Sequence, residues 1–175
     1  VFFLEGPRSK SFTPDQVNRS AHFAGGRLRA RLPKLGTTYT ISLWFWNGMP
    51  VDSRPVLGWM FSRGHDHSLD APGDHLGLDG KGHLLFNDGG KTYQGKTPVK
   101  RWTWRQAALA RKGEDLRVYL DDKLEIEAKA KANSLAEDVF IGGRNDNQSN
   151  WEGRLDEVAV FDRALTPAEI KKLSP

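Results

Sequence analysis

Five aromatic side chains and a few polar ones are the groups in this sequence with recognition chemistry to offer. They are Trp44, Trp46, Trp59, Tyr93 and Trp151, with Arg105, Gln106 and the polar run Arg144, Asn145, Asp146 and Asn147. A sugar ring has an apolar C–H face and a polar rim, so aromatic platforms beside Asn, Asp, Gln and Arg suit both halves of it. The competing use of each Trp is structural, because indoles also fill a core or seal an edge. Six Trp in 175 residues leave room for both uses.

Other clusters offer less. His65 and His67, with His75 further on, place imidazoles on a polar, breaker-rich loop, and an H-x-H on an extended segment puts both rings on one side. No C-x-x-C or H-E-x-x-H pattern accompanies them, so a polar loop explains them as well. Glu152, Asp156 and Glu157 offer the acids that glycoside hydrolysis needs in pairs. Successive strand residues point to opposite faces, however, so Asp156 and Glu157 cannot share a site. Asp121, Asp122, Glu125 and Glu127 fall on a hairpin and its exposed strand, where solvated charge is expected. No catalytic residue is assigned, and the expectation is a protein that is not an enzyme.

The bulk composition narrows the partners. The net charge of +4 admits an acidic ligand. Arg63, Lys91, Lys96, Lys100, Arg101, Arg105 and Arg144 lie in or beside the candidate binding segments, which points to acidic polysaccharides over neutral ones. Lys and Arg are otherwise scattered among acids with no nucleic-acid reading motif, so a nucleic-acid partner is not expected. No stretch approaches 18 apolar residues, so no membrane insertion is expected. There is no Cys, hence no disulfide and no thiolate zinc site. The sequence opens at Val1 without a charged and then apolar leader, and reads as a piece of something longer.

The elements that must position these groups are short strands. Val1 to Leu4 reads as an edge strand or arm, and Thr13 to Gln16 as a capped helical turn. Ala21 to Phe23 and Leu28 to Leu32 flank Gly25-Gly26 as a hairpin. Tyr39 to Asn47 is the strongest strand of the first half, with Ile41, Leu43 and Phe45 on one face and Ser42, Trp44 and Trp46 on the other. Strands follow at 56–62, 76–78, 83–86, 91–95, 104–110, 116–120 and 123–128, with Tyr93 exposed or at a rim. Beyond Val139 come a strand, a polar loop and the strand after Trp151, in which Val158 and Val160 alternate with Glu157 and Ala159. Thr166, Pro167 and Glu169 then mark a helix start, and Ile170 and Leu173 give it an apolar stripe. About a dozen short strands and one helix make an all-β, two-sheet antiparallel sandwich, a jelly roll with a short C-terminal helix, as one domain over 1–175.

The closing stretch, I-G-G, a loop, then W-x-G-x-L-D-E-V-x-V-F-x-R-A-L-T-P-A-E-I, resembles the end of laminin-G-like, concanavalin-A-like jelly-roll domains. Tyr39-Thr-Ile-Ser-Leu-Trp-Phe, Trp104-Arg-Gln-Ala-Ala-Leu and Leu116-Arg-Val-Tyr-Leu-Asp-Asp resemble earlier strands of that family. Gln106 stands where the family often has His, and Asp122 where it usually has a turn Gly. The resemblance implies a non-catalytic, lectin-like carbohydrate-binding module of a larger secreted or surface protein. Such a module is extracellular, periplasmic or on the cell surface, with a glycan and the parent's other domains as partners. It also implies a structural calcium ion at Asp156, held with backbone carbonyls. A protein-adhesion module is the alternative. The acid patterns of jelly-roll glucanases and alginate lyases are absent.

Overall fold

Period-two alternation, interrupted by Gly, Asn and Asp turns, makes strands of more than half of the described residues. The computed structural model describes residues 2–8, 17–33, 35–50, 56–67, 73–131 and 136–174. Among these are thirteen strands and one helix. In chain order the strands are β1 (Phe2–Glu5), β2 (Arg19–Ala24), β3 (Leu28–Arg31), β4 (Thr38–Asn47), β5 (Gly58–Arg63), β6 (His75–Leu78) and β7 (His83–Asn87). There follow β8 (Thr92–Pro98), β9 (Trp104–Lys112), β10 (Asp115–Leu120), β11 (Lys123–Lys129), β12 (Asp138–Ile141), β13 (Glu152–Phe161) and the helix α1 (Pro167–Leu173). They form two antiparallel sheets, ordered β1-β2-β13-β4-β9-β10-β11 and β3-β12-β5-β6-β7-β8. The all-β, two-sheet jelly roll is therefore the fold.

Burial of the facing sides holds the sheets together. Tyr39, Ile41, Leu43 and Phe45 of β4 are fully buried, as are Phe61, Leu76, Leu78, Leu84 and Phe86 of the opposite sheet. Each fully buried Leu, Ile or Phe contributes about 1.5–3 kcal/mol. At one end of the core a polar cluster replaces the hydrocarbon. The Asp74 carboxylate accepts from Arg111 and from the Tyr39 hydroxyl. Arg63 donates to the Leu35, Gly36 and Ala136 carbonyls. Burial pushes the Asp74 carboxyl up, while Arg111, Tyr39 and Arg63 pull it back. Along one side the two sheets are stitched by Glu125 of β11, which accepts from the Lys96 and Thr97 N–H groups at 2.6 and 3.0 Å and from the Thr97 hydroxyl at 2.6 Å.

Helix α1 lies on the outer face of the seven-stranded sheet. Its start is as expected: Thr166 caps, Glu169 completes the capping box, and Pro167 stands at the first position. Ile170 is buried with Ala108, Ala110, Tyr119 and Leu165, but Leu173 is exposed, so the stripe is one residue wide.

Two local expectations fail for physical reasons. Gly25-Gly26 does not close a hairpin, because β2 and β3 belong to different sheets and the glycines carry the chain across between them. Val158 does not share the buried side with Val160. A bulge shifts the β13–β4 register between Asp156 and Ala159, Glu157 sits at φ 47°, and Val158 is 39 % exposed. The strand-face alternation used to separate Asp156 from Glu157 thus breaks at that pair. The turn expected at Thr13 to Gln16 lies outside the described residues.

Candidate functional site

On β4 the inward side chains are Tyr39, Ile41, Leu43 and Phe45, so Trp44 and Trp46 point away from the core. Cross-strand pairing fixes their neighbours: Trp44 faces Gln106 and Asp156, and Trp46 faces Trp104 and Arg154. Gly153 permits this packing. At φ 146° it brings β13 so close that a Cβ would stand 2.3 Å from the Trp46 carbonyl oxygen. The glycine of the W-x-G motif thus serves the face that carries Trp46.

Trp46 is half-buried between two partners. The Arg154 guanidinium lies 4.3 Å from its ring centre, and the Trp102 ring lies 4.8 Å away at 45°. Trp102 is in turn approached by Arg101 at 4.0 Å. It sits in the turn before β9 at φ 64° and is 56 % exposed. Its N–H donates to the Asn47 carbonyl at 2.8 Å, and the Thr103 carbonyl accepts from Asn47 N–H at 3.2 Å. Two backbone bonds therefore hold an aromatic residue in the left-handed region, where a bulky side chain is an outlier. Arg154 donates to the Glu5 carbonyl at 3.0 Å; its Nε is buried without a hydrogen-bond partner, and it pairs with no carboxylate among the described residues. The arrangement offers apolar ring edges bordered by guanidinium groups.

The other candidates scatter. Trp44 is buried, and Gln106, fully buried, donates to the Ser42 hydroxyl at 2.8 Å. Arg105 points to the opposite side of β9, across from Phe45, and ion-pairs with Asp121 at the rim. Trp151 is a core residue set edge-on to Phe45 at 5.9 Å. Trp59 is buried on the other sheet against His75, at 5.6 Å. Tyr93 is half-buried on Phe86 and donates to the Lys129 carbonyl at 2.7 Å. In the polar loop, Arg144 holds Asp146; Asn145 is buried and donates to the His65 carbonyl; Asn147 accepts from Asn150. Burial would raise Asp146, but Arg144 and the Gln148 N–H hold it below the usual carboxylate range. Of the eleven side chains, only Trp46 joins the exposed aromatic surface. Trp102 and Arg154 complete it, and neither was singled out from the sequence. The signal for Trp102 was a large aromatic in the short link between two strands.

Glu152 and Asp156 are not spaced as a glycosidase pair. Glu152 and Asp156 share a face of β13 but stand four residues apart, about 13 Å at the rise of a strand. That exceeds the roughly 5–9.5 Å of glycosidase pairs. His75 is buried and bonded to Ser62 at 2.8 Å, whereas His65 and His67 are exposed. Among the described residues no three His, Cys, Asp or Glu converge as for a metal. Burial raises the Asp156 carboxyl, against the Glu157 N–H at 3.0 Å and the Asn18 amide beside it. Oδ2 is nonetheless buried without a well-formed hydrogen bond. Asp156 thus offers a cation one uncommitted oxygen, where calcium takes six to eight ligands.

Comparison with known proteins gives consistent results. A family model described as the concanavalin A-like lectin/glucanases superfamily matches residues 23–171. No curated protein matches the chain. Among solved structures, the fold is similar to a SAP-like pentraxin from Limulus polyphemus, with TM-score 0.67 and 16 % identity over 85 % of this chain and 75 % of that one. It is also similar to domain 4 of AbnA, a GH43 extracellular arabinanase from Geobacillus stearothermophilus, in complex with arabinotriose; the TM-score is 0.66 with 15 % identity over 99 % and 80 %. A third is the CBM40 of the Ruminococcus gnavus IT-sialidase bound to α2,3-sialyllactose, with TM-score 0.69 and 14 % identity over 89 % and 95 %. No helix among the described residues is long and apolar enough to cross a membrane.

Proposed function

The chain belongs to the concanavalin A-like lectin/glucanase superfamily, and from that premise we propose that it is a non-catalytic, lectin-like carbohydrate-binding module. Its contact surface is the outer face of the seven-stranded sheet at Trp46, Trp102 and Arg154. The observation that carries this reading is Trp102, an indole 56 % exposed and held at φ 64°. Backbone strain kept at an exposed aromatic is the mark of a residue presented to a partner. The guanidiniums over the rings favour a sugar, with its apolar face and polar rim, over the flat apolar surface of an adhesion partner.

Two similar structures are complexes with arabinotriose and α2,3-sialyllactose, which supports a glycan ligand. Arg154, without a carboxylate partner among the described residues, supports a preference for acidic polysaccharides. The wide Glu152–Asp156 spacing supports a binding rather than a hydrolytic role. Residues 1–175 serve as one domain of a larger secreted or surface protein. Asp156 is retained as a calcium ligand on one observation, its buried and uncommitted Oδ2.

A glycan array run with calcium and with chelator tests the reading. Trp46→Ala and Trp102→Ala are each expected to weaken binding about tenfold, the upper end of what an aromatic contact supplies. Arg154→Ala is expected to weaken only acidic glycans, by a margin that shrinks with salt. Undiminished binding by a folded Trp46→Ala/Trp102→Ala protein would overturn it.

A further inference from the structure

Resting on that carbohydrate reading, we infer that the ligand lies as an extended chain across the strands, along a single row of cross-strand partners. Phe2 pairs with His22, His22 with Arg154, Arg154 with Trp46, and Trp46 with Trp104. Paired residues of adjacent strands point to the same side, so all five share the outer face of β1, β2, β13, β4 and β9. Four inter-strand steps of about 4.8 Å make the row about 19 Å long.

Every member of the row is at least partly accessible. Phe2 is 77 % exposed, and His22, Arg154, Trp46 and Trp104 are all partly accessible. Trp102 stands over the Trp46 end. A single terminal sugar would use one ring and its rim. Aromatic residues at both ends with a cation between them suit a linear glycan whose internal residues contact several places at once. The row itself holds no carboxylate, and its Arg154 guanidinium stacks on Trp46 without an ion-pair partner among the described residues. The occupant is therefore a linear, anionic polysaccharide chain of the uronate type, bound along its length rather than by its end.

Phe3 supplies the control. It is 59 % exposed on the same strand, but pairs with Ala21 on the inward side of the sheet. Binding is measured with linear oligogalacturonides and cello-oligosaccharides, each from the monosaccharide to long oligomers. Affinity for the charged series is expected to climb with length, at least tenfold from the shortest to the longest. Phe2→Ala and Trp104→Ala are expected to remove most of that gain while leaving the shortest ligands unchanged, and Phe3→Ala to leave the whole series unchanged. Monosaccharide binding as tight as oligomer binding overturns the extended track but leaves the carbohydrate reading standing. So does an equal loss from Phe2→Ala and Phe3→Ala, which would mark a sticky sheet edge. Failure to bind the charged series, with other glycans still retained on the array, overturns the uronate assignment alone. Failure to bind any glycan overturns both.

Discussion

Asp156 combines two demands that its surroundings meet unequally. Oδ1 accepts the Glu157 N–H, while Oδ2 is buried beside the Asn18 amide without a well-formed hydrogen bond. Burial raises the folded-state pKa above 3.8, so the fold favours the protonated acid. Its contribution is fully present below the unfolded value and is lost as pH rises through the higher folded one. At neutral pH without metal the ionised carboxylate is a liability. Asp156→Asn is therefore expected to raise Tm in chelator, on the order of 2 °C. Calcium bound as proposed would reverse the comparison, since a ligand of the native state stabilises by mass action. Wild-type Tm should rise on adding calcium and that of Asp156→Asn should not. Identical wild-type melting with and without chelator ends the calcium proposal.

The β10–β11 hairpin turns on Asp121 and Asp122, both at positive φ, 53° and 93°. The two are not equivalent. Asp121 accepts from Gln106 N–H and pairs with Arg105, whereas the Asp122 side chain makes no hydrogen bond or ion pair with a described residue. Asp122→Gly is expected to stabilise by about 1 kcal/mol, the cost of a left-handed side chain, read as a shifted urea midpoint with unchanged slope. A lower midpoint would show that the Asp side chain itself holds the turn. This hairpin, β4 and the capped helix were legible in the sequence because each signal is local: two acids in a turn, alternation over ten residues, Thr and Glu three apart. The losses were non-local. A Gly-Gly pair closes a hairpin or crosses between sheets with the same residues, and only the pairing of β2 with β13 decides which. The bulge at Glu157 is invisible in an alternating pattern. For the proposed binding surface, the sequence offered Trp44 and Trp46 as one platform. Only the structure separates them, with Trp44 buried and Trp46 partly accessible beside Arg154 and Trp102.

The two sheets meet along one side at β8 and β11, where Glu125 takes two backbone N–H groups and a hydroxyl from the opposite sheet. Burial works against its ionisation, but these three donors bring its pKa below 4.5. Its stabilisation is present above the unfolded value and is lost as pH falls through the lower folded one. Glu125→Ala is expected to cost about 1 kcal/mol near neutrality, by removing three part-buried hydrogen bonds to one carboxylate. The difference from wild type should narrow in acid. An acid-unfolding profile for Glu125→Ala parallel to that of wild type would show that the seam is held by packing alone.

The place of β13, third of seven strands and between β2 and β4 in the larger sheet, has a consequence in time. A ribosome makes β2 well before β13, and between them pass Gly25 to Trp151. At a few to some twenty residues per second, that interval is on the order of ten seconds. Throughout it, β1 and β2 have no strand to dock on, and Phe2, Phe3 and Phe23 wait without the neighbour that orders them. The sheet closes around an interior strand, and that strand is the last of the described ones to be synthesised.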